Sequence, residues 1–539
     1  MSFKKFFLAL GMSLLGSGLA FAGWDDYAEM QAVSDVSRYI TQINLSGSPV
    51  WPGFQITEPV VIFFPNEHVY AFNHYHPWKK SFYQILSASE YYYDWQKRRT
   101  SDGDEYYFLN GLNNLFTASD SKTWKTVENQ EVFIDGLRTE TYDWRNVNKF
   151  VYNYFSQYEL QDSDGFKSYF SENAQAPSQS SPIYIDLYQQ TNIDLMYLEF
   201  AAMKDYALHN NMQALKYYAA INQVRLSALT KESQAYEKND GLLSGTAEYV
   251  SWKVHGVPEE GYFSEWHAMV SHAAYDDPRH FAPTVYTFAK HFNRYATPLI
   301  GAGLDKLYRD KGLDPDQWKK ELEARHISAS EALQNFYNLN LEDAKALVVE
   351  AKNLYNFDPQ IMPTLTKTFS RYQEFTQKEL DNYHNLPGVE VAITLPNVSH
   401  HYKSGMELPI DNQTIMEIEA TGRVFNAAWG EMLPQIQYTN IPYIFYTNTI
   451  VDNQHYTTIK FKISVSGLSN LHIGSLRDIK PADLSTLAPT HFSGLVFLRN
   501  NQISIGNLSD DNGVLEGTDN QLKITISGIK DWHFPRIPP

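Results

Sequence analysis

Cysteine is absent from this 539-residue chain. Its absence excludes a disulfide framework, a thiolate metal site and a cysteine nucleophile, so stability must come from the packed core alone. Long apolar runs are missing beyond the first residues, and none there approaches the ~20 residues that a membrane-crossing helix needs. Basic residues are in deficit: 44 Lys and Arg stand against 62 Asp and Glu, for a formal charge of −18. A balance of that sign argues against nucleic acid or anionic lipid as the main partner and says nothing specific about a substrate. No internal repeat is visible.

What is present reads as ordinary globular protein, 43% hydrophobic and 20% charged. The length is too great for one core, so two or three domains are expected. Aromatics reach 15%, with 37 Tyr. Tyrosine combines apolar area with a polar tip, which suits secreted and surface-active proteins, although an aromatic core explains the load equally. The first 22 residues have the form of a secretory signal: Lys4 and Lys5, an apolar run from Phe6 to Leu19 broken by Gly and Ser, then Ala20-Phe21-Ala22 as an A-x-A cleavage site. The mature chain is expected to begin near Gly23, and its place is periplasmic or extracellular.

Residues 23–145 mix short strand-like and helical pieces. Pro59-Val60-Val61-Ile62-Phe63-Phe64-Pro65 reads as a buried strand closed by prolines. The polar stretch from Asp162 to Pro182 reads as a loop. From Ile185 to about Tyr383 the period is helical. One long helix is expected from Leu198 through Tyr206, Leu215, Tyr218 and Leu226, with others around Leu304–Tyr308 and Ser330–Phe336. Pro387 and Gly388 break the pattern. From Val389 the period becomes two, as in Val389–Leu395, Thr457–Ile463 and Gln521–Ile526, with Asn, Gly and Asp turns between such runs. That pattern predicts an antiparallel β-sandwich over 386–539.

The stretch Val151-Tyr152-Asn153-Tyr154-Phe155-Ser156 carries the most information. In an H-E-x-x-H helix two imidazoles four residues apart are separated by about 400°, so they point the same way and share one zinc. The Glu beside the first His activates the metal-bound water. Here Tyr152, Asn153 and Ser156 fill those three positions. A phenol, an amide and a hydroxyl do not bind zinc tightly at neutral pH.

Downstream, Ser244-Gly245-Thr246-Ala247-Glu248-Tyr249 resembles the E-G-x-A-x-Y helix of gluzincin-type metallopeptidases, with Ser244 where the family has its third zinc ligand. Arg225 and Tyr236-Glu237 resemble the helix that precedes it. Trp51-Pro52-Gly53-Phe54, Val60–Phe64, Phe72-Asn73-His74, Arg294-Tyr295, Gly301–Asp305 and Trp318 resemble, in the same order, segments of exported bacterial H-E-x-x-H proteins. The resemblance covers roughly Trp51 to Leu341 and implies a helical zincin-like domain at 146–385. It also implies that every ligand and the catalytic Glu have been replaced, which removes both the charge that holds zinc and the base that activates water.

Other constellations are weaker. His74 and His76 would share a face on a strand and could hold a relocated metal, but Pro77 follows and no carboxylate is tied to them. His267 and His272, five apart, do not share a helix face. Asp276, Asp277 and His280 flank Pro278 in an expected turn, and His400 and His401 are expected in a loop. Gly241-Leu242-Leu243-Ser244-Gly245 lacks the G-x-S-x-G spacing of a nucleophile elbow. Glu199, Glu237, Asp240 and Glu248 offer carboxylates for glycoside chemistry without showing any pair at the needed separation. Glu248, four residues after Ser244, is expected to face the same former site. Tyr443 and Phe445 share one strand face and Tyr446 the other, which suits docking on the helical part or binding of polysaccharide.

The expectation is therefore an α+β protein: a mixed N-terminal portion, a mainly helical zincin-like core and a C-terminal β-sandwich. It would be an exported pseudopeptidase without a cofactor, binding a peptide or protein partner through Tyr152, Asn153, Ser156, Ser244 and Glu248. An active hydrolase with a relocated metal or carboxylate site, and a surface or polysaccharide-binding protein acting through the β-domain, are the alternatives.

Overall fold

The computed structural model describes residues 24–45, 50–63, 68–73, 96–99, 105–110, 123–127, 130–136, 144–161, 166, 185–271, 285, 287–357, 362–396, 398–411, 414–426, 436–451, 454–468, 471–473, 484, 487–499, 502–518 and 520–526. Helix α1 (Trp24–Asn44) is followed by six short strands: β1 (Val60–Phe63), β2 (His68–Phe72), β3 (Gln96–Arg99), β4 (Glu105–Asn110), β5 (Thr123–Val127) and β6 (Gln130–Gly136). The helical stretch then runs through α2 (Trp144–Gln161), a 3₁₀ turn (Ile185–Tyr188), α3 (Gln190–His209), α4 (Met212–Ser227) and α5 (Lys231–Asn239). A π turn (Asp240–Gly245) leads into α6 (Thr246–His255). It continues with α7 (Glu259–Ser271), α8 (Phe292–Asp310), α9 (Gln317–Arg325), α10 (Ala329–Tyr337), α11 (Leu341–Leu354) and α12 (Met362–Asn385). The remainder is β7 (Val389–Pro396), β8 (Val398–Pro409), β9 (Thr414–Asn426), β10 (Ile436–Val451), β11 (Gln454–Ile463), α13 (Val465–Leu468), β12 (Leu471–Ile473), β13 (Thr490–Arg499), β14 (Ile503–Thr518) and β15 (Gln521–Thr525).

The fold is thus α+β, with a mostly helical middle and a C-terminal sheet. Two compact units divide the chain: residues 1–172, 241–262 and 297–332 form one, and residues 173–240, 263–296 and 333–539 the other. In the first unit the strand order is β3-β4-β2-β1-β6-β5. Among the described strands there, only β1 and β6 pair in parallel, with Val60 opposite Phe133. Val60, Val61 and Ile62 are all buried, as expected of a strand bounded by prolines.

In the second unit nine strands form one sheet, β12-β13-β14-β15-β7-β11-β10-β9-β8. Its pairing also returns from β10 to β14, at Ile436 opposite Ile505, so β14, β15, β7, β11 and β10 close a ring. Closure removes free edges from the strands in the ring. Strand β10 makes this possible by a register shift between Tyr438 and Ile441 against β9. The period-two runs do form β7, β11 and β15, but β15 and β7 pair in parallel. Alternation cannot separate one closed sheet from two facing ones, because both bury every second side chain. His400 and His401 lie on β8, opposite Val424 and Arg423, and not in a loop.

The single helix expected across Leu198–Leu226 is two. Asn210 takes a left-handed conformation (φ 52°) and ends α3, and the Asn211 side chain accepts from the Gln213 N–H to start α4. Consecutive asparagines can do both, since Asn tolerates positive φ and caps well. No described helix is long and apolar enough to cross a membrane.

Candidate functional site

The first unit carries all five residues singled out above on two helices that pack together, α2 and the π turn with α6. Helix α2 buries Phe150, Val151, Asn153, Tyr154, Phe155 and Glu159, leaving Tyr152 and Ser156 half-buried on its flank. The Ser156 hydroxyl donates to the Tyr152 carbonyl at 2.9 Å, a local bond that occupies its proton. Ser244 and Glu248 are half-buried. The backbone stays helical through Asp240 (φ −63°, ψ −41°) and Gly245 (φ −73°, ψ −40°), so the π turn widens a continuous helix and changes its phase just where Ser244 sits. Such turns recur at functional sites. Among the described residues, no three His, Cys, Asp or Glu side chains are grouped to hold a metal ion. His74 and His76 lie outside the described residues, as do His272, Asp276, Asp277, His280 and nearly all of the 162–182 stretch.

The contact between the two helices is polar and buried. Glu159, one turn after Ser156, meets the Thr246 hydroxyl, two residues after Ser244. Thr246 also reaches the Leu242 carbonyl. Burial pushes the Glu159 carboxyl well above its ordinary range, and the nearby Glu323 adds to this. A hydroxyl has one proton for two acceptors. A protonated Glu159 resolves the conflict by donating to Thr246 while Thr246 donates to Leu242. Sequence pattern did not single out Glu159; only its wholly buried helix face distinguishes it.

Around this pair the quoted segments converge. Trp51 places its ring 5.4 Å from Phe155, 6.2 Å from Tyr249 and 5.8 Å from Trp318. Its indole N–H donates to Glu323 at 2.6 Å. Gly301 lets α8 approach α6: a Cβ there would stand 2.6 Å from the Tyr249 ring. Beneath lies Asp305, 4% exposed, accepting from Tyr249 Oη (2.8 Å), Lys253 Nζ (3.0 Å) and Trp318 Nε1 (3.0 Å). A cavity of about 550 Å³ opens beside this carboxylate, lined among others by Lys253, Arg309, Lys319 and Asp316. Three cations against two carboxylates, Asp305 and Asp316, leave an excess of one positive charge. None of the five expected site residues lines that cavity. Asp305 and Trp318 were visible as motif fragments, but their convergence with Lys253 was not.

In the second unit, two of the carboxylates considered for glycoside chemistry are committed elsewhere. Arg225, wholly buried, donates to Glu199 at 2.7 Å, to both Glu237 oxygens at 2.6 and 2.7 Å, and to Asn192 at 3.1 Å. Asn293 also donates to Glu237, at 2.8 Å. Burial raises Glu199 to about 7 against the pull of Arg225. One guanidinium is shared between two buried carboxylates, and it does not offset the burial of Glu199. His267 is exposed and stacks on Phe200 at 6.1 Å. Tyr443 and Phe445 pack on Tyr383 of α12 at 6.1 and 4.5 Å, and Tyr443 donates to Glu379 at 2.6 Å. Tyr446, on the other face, enters the sheet core. These strand aromatics therefore dock a helix. Compared with protein-family models, with curated proteins and with solved structures, the chain gives no match.

Proposed function

We propose that this chain is an exported, non-catalytic binding protein of zincin-like build, a pseudopeptidase whose ligand is a peptide or protein segment. The observation that supports the reading is the packing of α2 on α6, which brings together Tyr152, Asn153 and Ser156 with the segment of Ser244, the four positions that the gluzincin resemblance gives to ligands and base, and Glu248 one turn after Ser244. Zinc binding demands a deprotonated, nearly closed donor set. Here the donors are a phenol, an amide, two hydroxyls and one carboxylate, and the Ser156 proton is already given to the backbone. Amides and hydroxyls suit hydrogen bonding to a peptide chain. The neighbouring cavity, with its one-charge cationic excess, supports a ligand that ends in a carboxylate.

The test is zinc content, by elemental mass spectrometry after zinc incubation and desalting, together with binding of fluorescein-labelled casein peptides. The expected result is no retained zinc, and peptide binding weakened at least tenfold when Asn153→Ala and Ser244→Ala are combined. Near-stoichiometric zinc accompanied by casein hydrolysis would overturn the proposal, and so would peptide binding indifferent to the double variant.

A further inference from the structure

The second unit holds a separate cavity of about 570 Å³, formed by the 3₁₀ turn and first residues of α3, three turns of α12 and the end of β8. That volume falls in the usual range for small-ligand sites, about 300–1,000 Å³. None of its twelve lining residues is charged, eight bearing an amide, hydroxyl or phenol and four being apolar. Recognition there cannot rest on ion pairing.

Helix geometry arranges the groups. Phe369, Gln373 and Gln377 form one ridge of α12 at fourth-residue spacing, and Tyr372, Thr376 and Leu380 form the next. Gln373 is exposed, and among the described residues its amide holds no hydrogen bond. Gln377 spends one N–H on Asp381 at 2.9 Å and keeps its oxygen. Across the cavity, Gln189 precedes α3 without capping it, so its amide also faces no helical N–H. Tyr372, on the second ridge, is 5% exposed and anchors that side of the cavity. Thr376, one turn on, gives its own proton to the Tyr372 carbonyl.

We propose that this cavity binds a neutral carbohydrate chain. Vicinal sugar hydroxyls match the paired donors and the acceptor of a glutamine head. Sugar C–H faces match the apolar rim that Phe369 and Leu380 provide. An anionic ligand would meet no cationic side chain. A peptide adding to β8 would need free ladder donors, yet Pro409 has no N–H and Ile410 gives its own to Thr414 at 2.9 Å.

The test is calorimetric titration of the full mature chain with chitohexaose, cellohexaose, maltohexaose and mannohexaose, and with an uncharged Gly-Ser-Gln peptide of similar length. At least one hexasaccharide is expected to bind. Gln373→Ala combined with Gln377→Ala, both surface changes, is expected to weaken it at least tenfold without changing thermal unfolding. Binding by none of the four sugars, binding unaffected by the variants, or variant-sensitive binding of the peptide alone would each overturn the proposal. Zinc content does not bear on this site.

Discussion

Replacing Arg225 with methionine would test the buried charge cluster directly. The side chain is wholly buried and makes four hydrogen bonds to Glu199, Glu237 and Asn192. Methionine fills much of the same volume but leaves both carboxyls without their cation. Removing one partner of a buried pair costs about 3–5 kcal/mol, because the other charge stays behind. The carboxyls can escape that cost only by taking protons, which makes the penalty depend on pH.

In this cluster Glu199 holds its proton up to about 7, above the usual carboxylate value of 4.5. Folded protein then binds more protons than unfolded, so stability is complete below the unfolded value and falls as pH rises toward 7. The slope is about 1.4 kcal/mol per unit, roughly 3 kcal/mol in all. In Arg225→Met the buried cluster loses the cation that pulls Glu199 down, so Glu199 is pushed higher still and the decline extends further. The loss between pH 5 and pH 7 is therefore expected to exceed the native trend. Urea unfolding followed by tryptophan fluorescence at both pH values measures it. Glu199→Gln and Glu237→Gln added to Arg225→Met are expected to recover most of the loss, as neutral replacements of buried ion clusters often do. A variant that loses under ~1 kcal/mol at pH 7, or loses equally at pH 5, would refute the cluster's ionic character.

Four further changes have defined outcomes. Gly301→Ala forces a methyl to within 2.6 Å of the Tyr249 ring and is expected to cost about 1–3 kcal/mol, read as a lowered melting temperature; an unchanged melt would contradict the close approach of α8 and α6. Asp305→Ala strips the acceptor from Tyr249, Trp318 and Lys253 and is expected to destabilise by about 3 kcal/mol or more in urea titration. Glu159→Gln keeps the contact to Thr246 while removing a carboxyl whose folded value is raised by burial; the native chain loses stability as pH rises above the ordinary carboxylate range, and the variant is expected to lose less, with a steeper slope counting against a protonated Glu159. Glu417, wholly buried and raised by burial and by Glu407 across the strand pair, has the same sign: Glu417→Gln is expected to flatten the alkaline decline of the β-sheet circular dichroism signal, and an identical decline would locate the titration elsewhere.

Local chemistry was the part of the fold that the sequence carried. The prolines around Val60–Phe63, the breaking pair Pro387-Gly388 and the alternation of Val389–Leu395 each correspond to an element or its limit. Asn210-Asn211 carried a helix break that apolar periodicity overrode, because a mostly apolar face continues on both sides of it. The π turn had no comparable signal beyond Gly241 and Gly245. Closure of the second sheet depends on β10 pairing with β14, as Ile436 does with Ile505 far along the chain, and alternation holds no record of which strands are neighbours. The same limit applies to the site: Tyr152, Asn153, Ser156, Ser244 and Glu248 were legible as a motif pair, whereas Glu159, Lys253 and Asp305 acquire meaning only from partners far along the chain.

A zinc ion in the arrangement that the sequence resembles does two jobs, chemistry and clamping, since metal affinity becomes folding free energy. On the proposed reading the donors are replaced, and the clamp must be made of other contacts. Three are present, and none uses the side chains of Tyr152, Asn153, Ser156, Ser244 or Glu248. Glu159 joins α2 to α6 through Thr246. Trp51 lies against both Phe155 of α2 and Tyr249 of α6. Gly245 and Gly301 admit α8 so closely that a Cβ at either would strike Thr297 or Tyr249. The framework is therefore held from behind the substituted positions. Changes at Ser244 or Ser156 should accordingly alter what the helix pair binds before they alter whether it folds, and the reverse should hold for Trp51, Glu159 and Gly301. On the proposed reading, that separation lets the surface change with its ligand while the fold is kept.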